Sequence, residues 1–526
     1  MKRRFPSLFM GVTLAGAASL PAADEPAGRL VYELHCAACH GVTGDGKGPA
    51  SVWLFPKPRN FSAGLFKIQS TPFGSLPTDE DLFQTVSRGM PGSSMPSFSY
   101  LSEEERRDAV KFVKYLTAIT DAQGRRVNKF EEVSRGEAVT TPVVVPPEPV
   151  DLVASISKGK ELFVRSGCFA CHGETGAGNG PAAMALRDAE GIPVFARDFN
   201  SGSFRGGSTG RDLYLRIHNG MAGTPMPAYG EAAMKPEDRW ALVHYIQSLR
   251  RKDVEVNDLL ASVDGVIHML QVPAIPGNPA DPAWESFDPV RVPLNPLWPE
   301  PQPISAVAVI AVHDGKTAAF HLTWRDPSKN GESVRVQEFQ DEVAVQFSLN
   351  GSTPFIGMGD KDNPVNLWLW RASWQQEIEG VRPDMRDEYP SMHVDTYMDT
   401  NDLYLTAVKA GNPISRQHAS AVEDANARGF GTLTSQPVER QNVEGRGIWF
   451  DGSWSVVITR PLDSKEEDDV RFLPGEEVPV AFAVWNGEQR DRNGRKVISN
   501  WLKVTMEKGS RTAATDREER ATGETL

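Results

Sequence analysis

All four cysteines of the chain fall in two pentapeptides, Cys36-Ala37-Ala38-Cys39-His40 and Cys168-Phe169-Ala170-Cys171-His172. Two thiols about one helical turn apart can add to the two vinyl groups of one haem. The adjacent histidine then reaches the iron from the proximal side. One such pentapeptide could be chance, a redox pair or half of a zinc site. Two copies with no spare cysteine read as two covalent haems c, attached at Cys36, Cys39, Cys168 and Cys171. They also leave no thiol for a disulfide framework.

Each motif opens a longer repeat. A Gly-rich turn follows it, Gly41 to Pro49 in the first copy and Gly173 to Pro181 in the second. Arg59-Asn60-Phe61 is echoed by Arg197-Asp198-Phe199, and Asp81-Leu82-Phe83 by Asp212-Leu213-Tyr214. Gly89-Met90-Pro91-Gly92-Ser93-Ser94-Met95-Pro96 matches Gly220-Met221-Ala222-Gly223-Thr224-Pro225-Met226-Pro227. Each copy closes on a predicted helix. Ser102 and Glu105 form a capping-box pattern before a stripe of Val110, Val113 and Leu116. Pro236 suits a first helical position before Leu242, Ile246 and Leu249.

This order of parts resembles the class I cytochrome c family over residues 27–120 and 155–250. The resemblance implies an all-α fold around each haem, with His40 and His172 on one side of the irons. Met95 and Met226 are the implied ligands on the other side, 55 and 54 residues beyond those histidines. Met90 and Met221 recur equally well and stay as alternatives. Pro49 and Pro181 look like the family's haem-packing prolines. A thioether ligand favours ferrous iron and so raises the potential. With both axial positions filled, an iron is closed to substrate, which favours electron transfer over peroxidase or oxygen chemistry. His35, His218 and His244 have no counterpart in the other repeat, so surface or locally hydrogen-bonded roles are expected.

The chain that must position these motifs has 526 residues. At ~100–200 residues per domain, that is about three domains. With 56 basic against 69 acidic residues the net charge is −13, which argues against a nucleic-acid binder. Met1-Lys2-Arg3-Arg4, the apolar stretch Phe5 to Leu20 and Pro21-Ala22-Ala23 read as a secretory signal over 1–23. Left uncleaved, it would be a membrane anchor. No later run reaches the ~20 apolar residues of a membrane span. A periplasmic location is therefore expected. Pro-rich stretches at 121–154 and 251–303 read as a linker and as a linker with domain lead-in. The tail at 508–526 is charged and is expected to be disordered.

From about Ile304 the periodicity changes to two. Val343, Val345 and Phe347, then Trp454, Val456 and Ile458, then Val480, Phe482 and Val484 alternate with other residues, as half-buried strands do. Asp314-Gly315 and Asn493-Gly494 are hairpin-turn dipeptides. An all-β antiparallel sandwich over 304–507 is expected, with long excursions at 373–440. The fold class is thus two all-α cytochrome c domains followed by that sandwich. No catalytic cluster stands out: His313, His321, His393 and His418 are scattered.

Phe355-Ile356-Gly357-Met358-Gly359-Asp360, Asn363 to Trp370, Ala481 to Gly487 and Gly494 to Ser499 resemble the ethylbenzene dehydrogenase γ-subunit family over about 265–507. The resemblance implies one non-covalent haem b held between a methionine and a lysine. Met358 takes the methionine position; Lys496 and Lys465 are alternatives for the lysine. It also implies a molybdenum-cofactor oxidoreductase partner with an iron–sulfur subunit. Electrons would pass between that enzyme and a soluble cytochrome or other periplasmic carrier. Two other readings stay open: an enzyme with an open iron site, and a β-domain that only binds a partner or carbohydrate.

Overall fold

The computed structural model describes residues 27–120, 123, 126–134, 141–251, 265–300, 303–381, 385–392 and 417–507. The segment 1–23 expected to be an export signal, the tail at 508–526 and His393 lie outside those residues.

The first repeat holds α1 (Arg29–His35), α2 (Ala37–His40), α3 (Asp79–Arg88) and α4 (Glu103–Leu116). The short strands β1 (Ala118–Thr120) and β2 (Arg126–Asn128) and the helix α5 (Lys129–Ser134) follow. The second repeat holds α6 (Leu152–Arg165), α7 (Phe169–His172), α8 (Gly210–Asn219) and α9 (Pro236–Ser248). The capping box at Ser102 and Glu105 starts α4, and the same device starts α3 at Thr78 and α8 at Thr209. These boxes satisfy backbone donors that the first helical turn leaves without partners. Pro236 opens α9, whose residues Arg239 to Ile246 are all buried. Helix α9 is covered on more than one face: Trp240 Nε1 donates to Pro146 O of the preceding linker at 3.2 Å. On another side Gly159 of α6 lets the two helices cross closely, since a Cβ there would stand 2.0 Å from Ala241 O.

The C-terminal region is one long sheet folded into two leaves. Its strands are β3 (Val266–Gln271), β4 (Val290–Pro293), β5 (Asn295–Pro296), β6 (Ala306–His313), β7 (Thr317–Arg325), β8 (Glu342–Ser348) and β9 (Val365–Arg371). After the helices α10 (Ala372–Ile378) and α11 (Met385–Glu388) come β10 (Val422–Ala427), β11 (Thr434–Ser435), β12 (Glu444–Phe450), β13 (Ser453–Pro461), β14 (Glu477–Trp485), β15 (Val497–Ile498) and β16 (Leu502–Met506). The main path runs β11-β10-β9-β8-β14-β16-β3-β6-β7-β13-β12. Pairing is antiparallel except where β3 runs parallel to both β16 and β6. The strands at 266–271 and 290–296 join this sheet ahead of residue 304.

The inward faces of the two leaves meet in one aromatic core. Phe320 lies 5.5 Å from Phe347, and Trp370 lies 4.8 Å from Trp454. Trp368 has no exposed surface and packs against Phe320, Phe347 and Phe472. Trp368→Ala should destabilise this domain by about 3–5 kcal/mol. Thermal unfolding followed by near-UV circular dichroism would show a midpoint lower by roughly 10 °C.

The alternating runs of β8 and β14 are not half-buried, as expected, but buried on both faces, whereas β13 keeps Ser455 and Thr459 partly exposed between its buried residues. Ala344, Gln346, Leu369 and Ala483 point away from the aromatic core yet are each under 10 % exposed. The reason is a second cover, made by the loop at 350–364, by β15 and by the first repeat.

Candidate functional site

Helix α1 ends at Cys36, and the single turn α2 carries Ala37 to His40. That turn sets Cys36, Cys39 and His40 around one apolar cavity, whose other walls include Leu54, Phe61, Leu82 and Val110. None of the four cysteines is paired in a disulfide. Burial pushes the Cys36 and Cys39 thiols up to about 12, so both are protonated at neutral pH. His40 Nδ1 donates to Arg59 O at 3.0 Å, because a carbonyl can only accept. Nε2 therefore keeps its lone pair, the form a metal-binding imidazole needs. Burial lowers the His40 pKa and so favours that neutral ring. Phe61 stacks on the imidazole at 4.6 Å and fixes its plane. The Gly-rich turn wraps the motif: Gly46 N donates to His40 O at 2.8 Å and Gly48 N to Cys39 O at 3.1 Å.

The second motif repeats this bond for bond. His172 Nδ1 donates to Arg197 O at 3.0 Å, and Phe199 stacks on the ring at 4.3 Å. Gly178 N donates to His172 O at 2.8 Å and Gly180 N to Cys171 O at 3.1 Å. Burial lowers the His172 pKa and raises the Cys168 thiol to about 11. The roles of Phe61 and Phe199 were visible in the sequence only as an unexplained echo.

The methionine loops close as tight turns. Met90 N donates to Met95 O at 3.0 Å and Met221 N to Met226 O at 3.2 Å. Met90 and Met95 both line the first cavity, and so does Met221 from the second repeat. Met226 is half-buried. Pro49 and Pro181 are exposed, and it is Ala50, next to Pro49, that lines the first cavity. His35, His218 and His244 are all buried. Each has a local partner: Tyr100 at 3.4 Å, Asn219 at 2.6 Å and Ser155 at 2.7 Å respectively.

The β-domain reaches the same cavity. Phe355, Ile356, Gly357, Phe430 and Ile498 form part of its wall. Met358 follows them at φ 78, a left-handed conformation uncommon for a residue with a side chain. Its carbonyl accepts from Gly429 N at 2.9 Å. Its side chain packs in a cluster with Tyr100 of the first repeat, Leu367, Ala481 and Trp501. Lys496 sits near the other side of this sheet face, half-buried, with Nζ 4.4 Å from the Trp485 ring. Burial lowers its amine to about 8, against a smaller opposing effect of Glu342. Between the two lie Ala344, Leu369 and Ala483, a flat apolar floor. Lys465 is exposed, and its backbone nitrogen is tied to Asp463 at 3.0 Å. Two thiols and an imidazole lone pair fit a covalently attached haem. A thioether at Met358 and an amine at Lys496, on either side of this apolar floor, would fit a second haem held between them.

A model of the family described as ethylbenzene dehydrogenase matches residues 281–497, and one for cytochrome c matches 26–117 and 156–250. A chain described as a respiratory nitrate reductase heme subunit, from Haloferax mediterranei, is 30% identical over 233 residues, 43% of this chain and 67% of that one. The chain belongs to the ethylbenzene dehydrogenase family. Two cytochrome c domains precede its ethylbenzene dehydrogenase domain. The γ subunit of chlorate reductase from Ideonella dechloratans is 28% identical over 37% of this chain and 61% of its own length. The γ subunit of dimethylsulfide dehydrogenase from Rhodovulum sulfidophilum is 26% identical over 44% of this chain and 76% of its own length. No helix among the described residues is long and apolar enough to cross a membrane.

Proposed function

We propose that the protein is an exported electron-transfer subunit. It would exchange electrons between a molybdenum-cofactor oxidoreductase with an iron–sulfur subunit and a soluble cytochrome or other periplasmic carrier. Two haems c, held at Cys36 and Cys39 and at Cys168 and Cys171, and one haem b would each supply one-electron iron cycling when bound. The observation that carries this reading is the shared cavity. Cys36, Cys39 and His40 face the same space as Phe355, Ile356, Gly357 and Ile498 of the β-domain. Polar contacts clamp the domains at that point: Ser97 N donates to Asn500 Oδ1 at 3.1 Å and Phe55 N to Leu297 O at 3.0 Å. Two redox sites sharing a wall suit transfer without a mobile intermediary. In this reading the first repeat stands between the β-domain and the second repeat.

His40 with Met95, His172 with Met226, and Met358 with Lys496 are the assigned iron ligands. The chain's part is to fix these donors, exclude water and hold the sites at constant separation. A pyridine haemochrome of the purified protein should show two covalent c-type haems and one haem extractable with acid–acetone. No extractable haem would remove haem b from the reading, and a high-spin ferric spectrum would favour an enzyme with an open iron. Met95→Ala and Met226→Ala should each abolish a separate sulfur–iron band at the red end of the ferric spectrum. If Met90→Ala abolishes the band instead, the distal assignment moves to Met90.

A further inference from the structure

The two repeats carry basic pairs at matching places. Arg59 and Lys67 in the first correspond to Arg197 and Arg205 in the second, counted from the shared Phe61 and Phe199. The arginine carbonyls hold each repeat's own histidine, but the side chains point across to the other repeat. A Cβ at Gly92 of the first methionine loop would stand 2.5 Å from Arg197 Nη1. A Cβ at Gly223 of the second loop would stand 3.2 Å from Arg59 Nη1. Gly92 and Gly223 are themselves matching residues. The repeats therefore pack in a self-complementary way, as two copies do about a two-fold axis.

This packing brings positive charge to the cavity around Cys36 and Cys39. Arg59 and Lys67 line it from the first repeat, and Arg205 lines it from the second. Among the described residues, none of Arg59, Lys67, Arg197 and Arg205 has a carboxylate within ion-pair distance. Asp188 and Glu190 act on Arg59 and Lys67 only from a distance, and Asp198 acts likewise on Arg197. Arg205 has no such neighbour, and its buried Nε has no hydrogen-bond partner. Burial and the nearby Arg59 and Arg205 push the Lys67 amine down to about 7. Gathering unpaired cations away from water is costly unless an anion joins them.

We propose that these residues form a carboxylate-binding site shared by the two repeats. In it Arg205 of the second repeat joins Arg59 and Lys67 of the first to hold the carboxylate groups of the haem attached at Cys36 and Cys39. This rests on the covalent haem reading. It has a consequence that reading alone lacks: a residue of the second cytochrome domain helps set the potential of the first haem. A cation near the iron disfavours the ferric charge, and a paired carboxylate is neutralised. Removing Arg205 lowers the first potential on both counts.

The experiment is a spectroelectrochemical titration of full-length holoprotein. The first c-type wave is identified as the one that Met95→Ala displaces. Arg205→Met should move that wave to lower potential and leave the other c-type wave in place. Arg205→Lys should restore most of the shift. Arg88→Gln serves as control, because Arg88 meets Asp212 across the same interface at 3.9 Å without lining the cavity. It should move neither wave. An unmoved first wave in Arg205→Met would overturn the shared site, as would an equal shift in Arg88→Gln. A haemochrome without covalent haem would instead overturn the parent reading and this one together.

Discussion

Cys36→Ala combined with Cys39→Ala should leave one covalent haem instead of two and break electron exchange between the β-domain and the second repeat. The second motif lies on its own helix α7, with its own histidine acceptor at Arg197 and its own stacked Phe199, so it should still be loaded. The β-domain, in contrast, meets the first motif's cavity through Phe355, Ile356, Gly357 and Ile498. Removing the first haem therefore removes the middle site while leaving both ends. Cys168→Ala with Cys171→Ala should give the opposite pattern. The first haem then stays reducible from the β-domain, and exchange with an external carrier fails. Haem-stained gels count the covalent groups, and stopped-flow reduction through haem b follows the connection. If the Cys36 and Cys39 variant still reduces the second haem c at the wild-type rate, the first repeat is not the link.

How much of this could be read in advance depended on whether the information was local. Cys36 to His40 and Cys168 to His172 each fit in one helical turn, so their spacing could be read locally as a haem-attachment pattern. Ser102 with Glu105 and Asn493 with Gly494 are equally local. The latter pair forms a turn in which Arg492 and Arg495 exchange both backbone hydrogen bonds. Strand β10 was hidden inside the 373–440 stretch because its sequence is Val-Glu-Asp-Ala-Asn-Ala, without an apolar alternation. Its Asp424 is buried and accepts from Asn366 at 2.6 Å, and Asn366 also accepts from Arg460 at 3.1 Å. A buried polar network of this kind leaves no periodic trace, since its partners lie far apart in sequence. The histidine acceptors, Arg59 O and Arg197 O, are backbone atoms and carry no residue code at all. The same holds for the wall that Phe355 to Gly357 lend to the first repeat. Only the tertiary fold brings residues some 300 positions apart to one cavity.

Lys496→Met should empty the β-domain of extractable haem while both covalent haems remain. Only a neutral amine has a lone pair for iron, and an ordinary lysine is protonated near neutral pH. At Lys496 burial over Trp485 has already lowered the amine to about 8. Relative to a solvated lysine, losing the proton there is easier by about 3 kcal/mol. The sign of the pH dependence follows. Haem uptake by the β-domain should be flat above pH 8 and weaken by up to about tenfold per unit below it, as the amine takes up its proton. Lys465 is exposed and lies off the apolar floor, so Lys465→Met should keep the haem. Loss of haem in Lys465→Met instead would reverse the lysine assignment. On the opposite side, Met358→Gly separates ligation from loop geometry. Glycine accepts φ 78 freely, so the loop keeps or improves its backbone fit while the thioether is gone. If Met358 is a ligand, Met358→Gly loses the extractable haem despite the relaxed backbone. If it is only a packing residue against Tyr100 and Trp501, the haem stays and its ferric spectrum is unchanged.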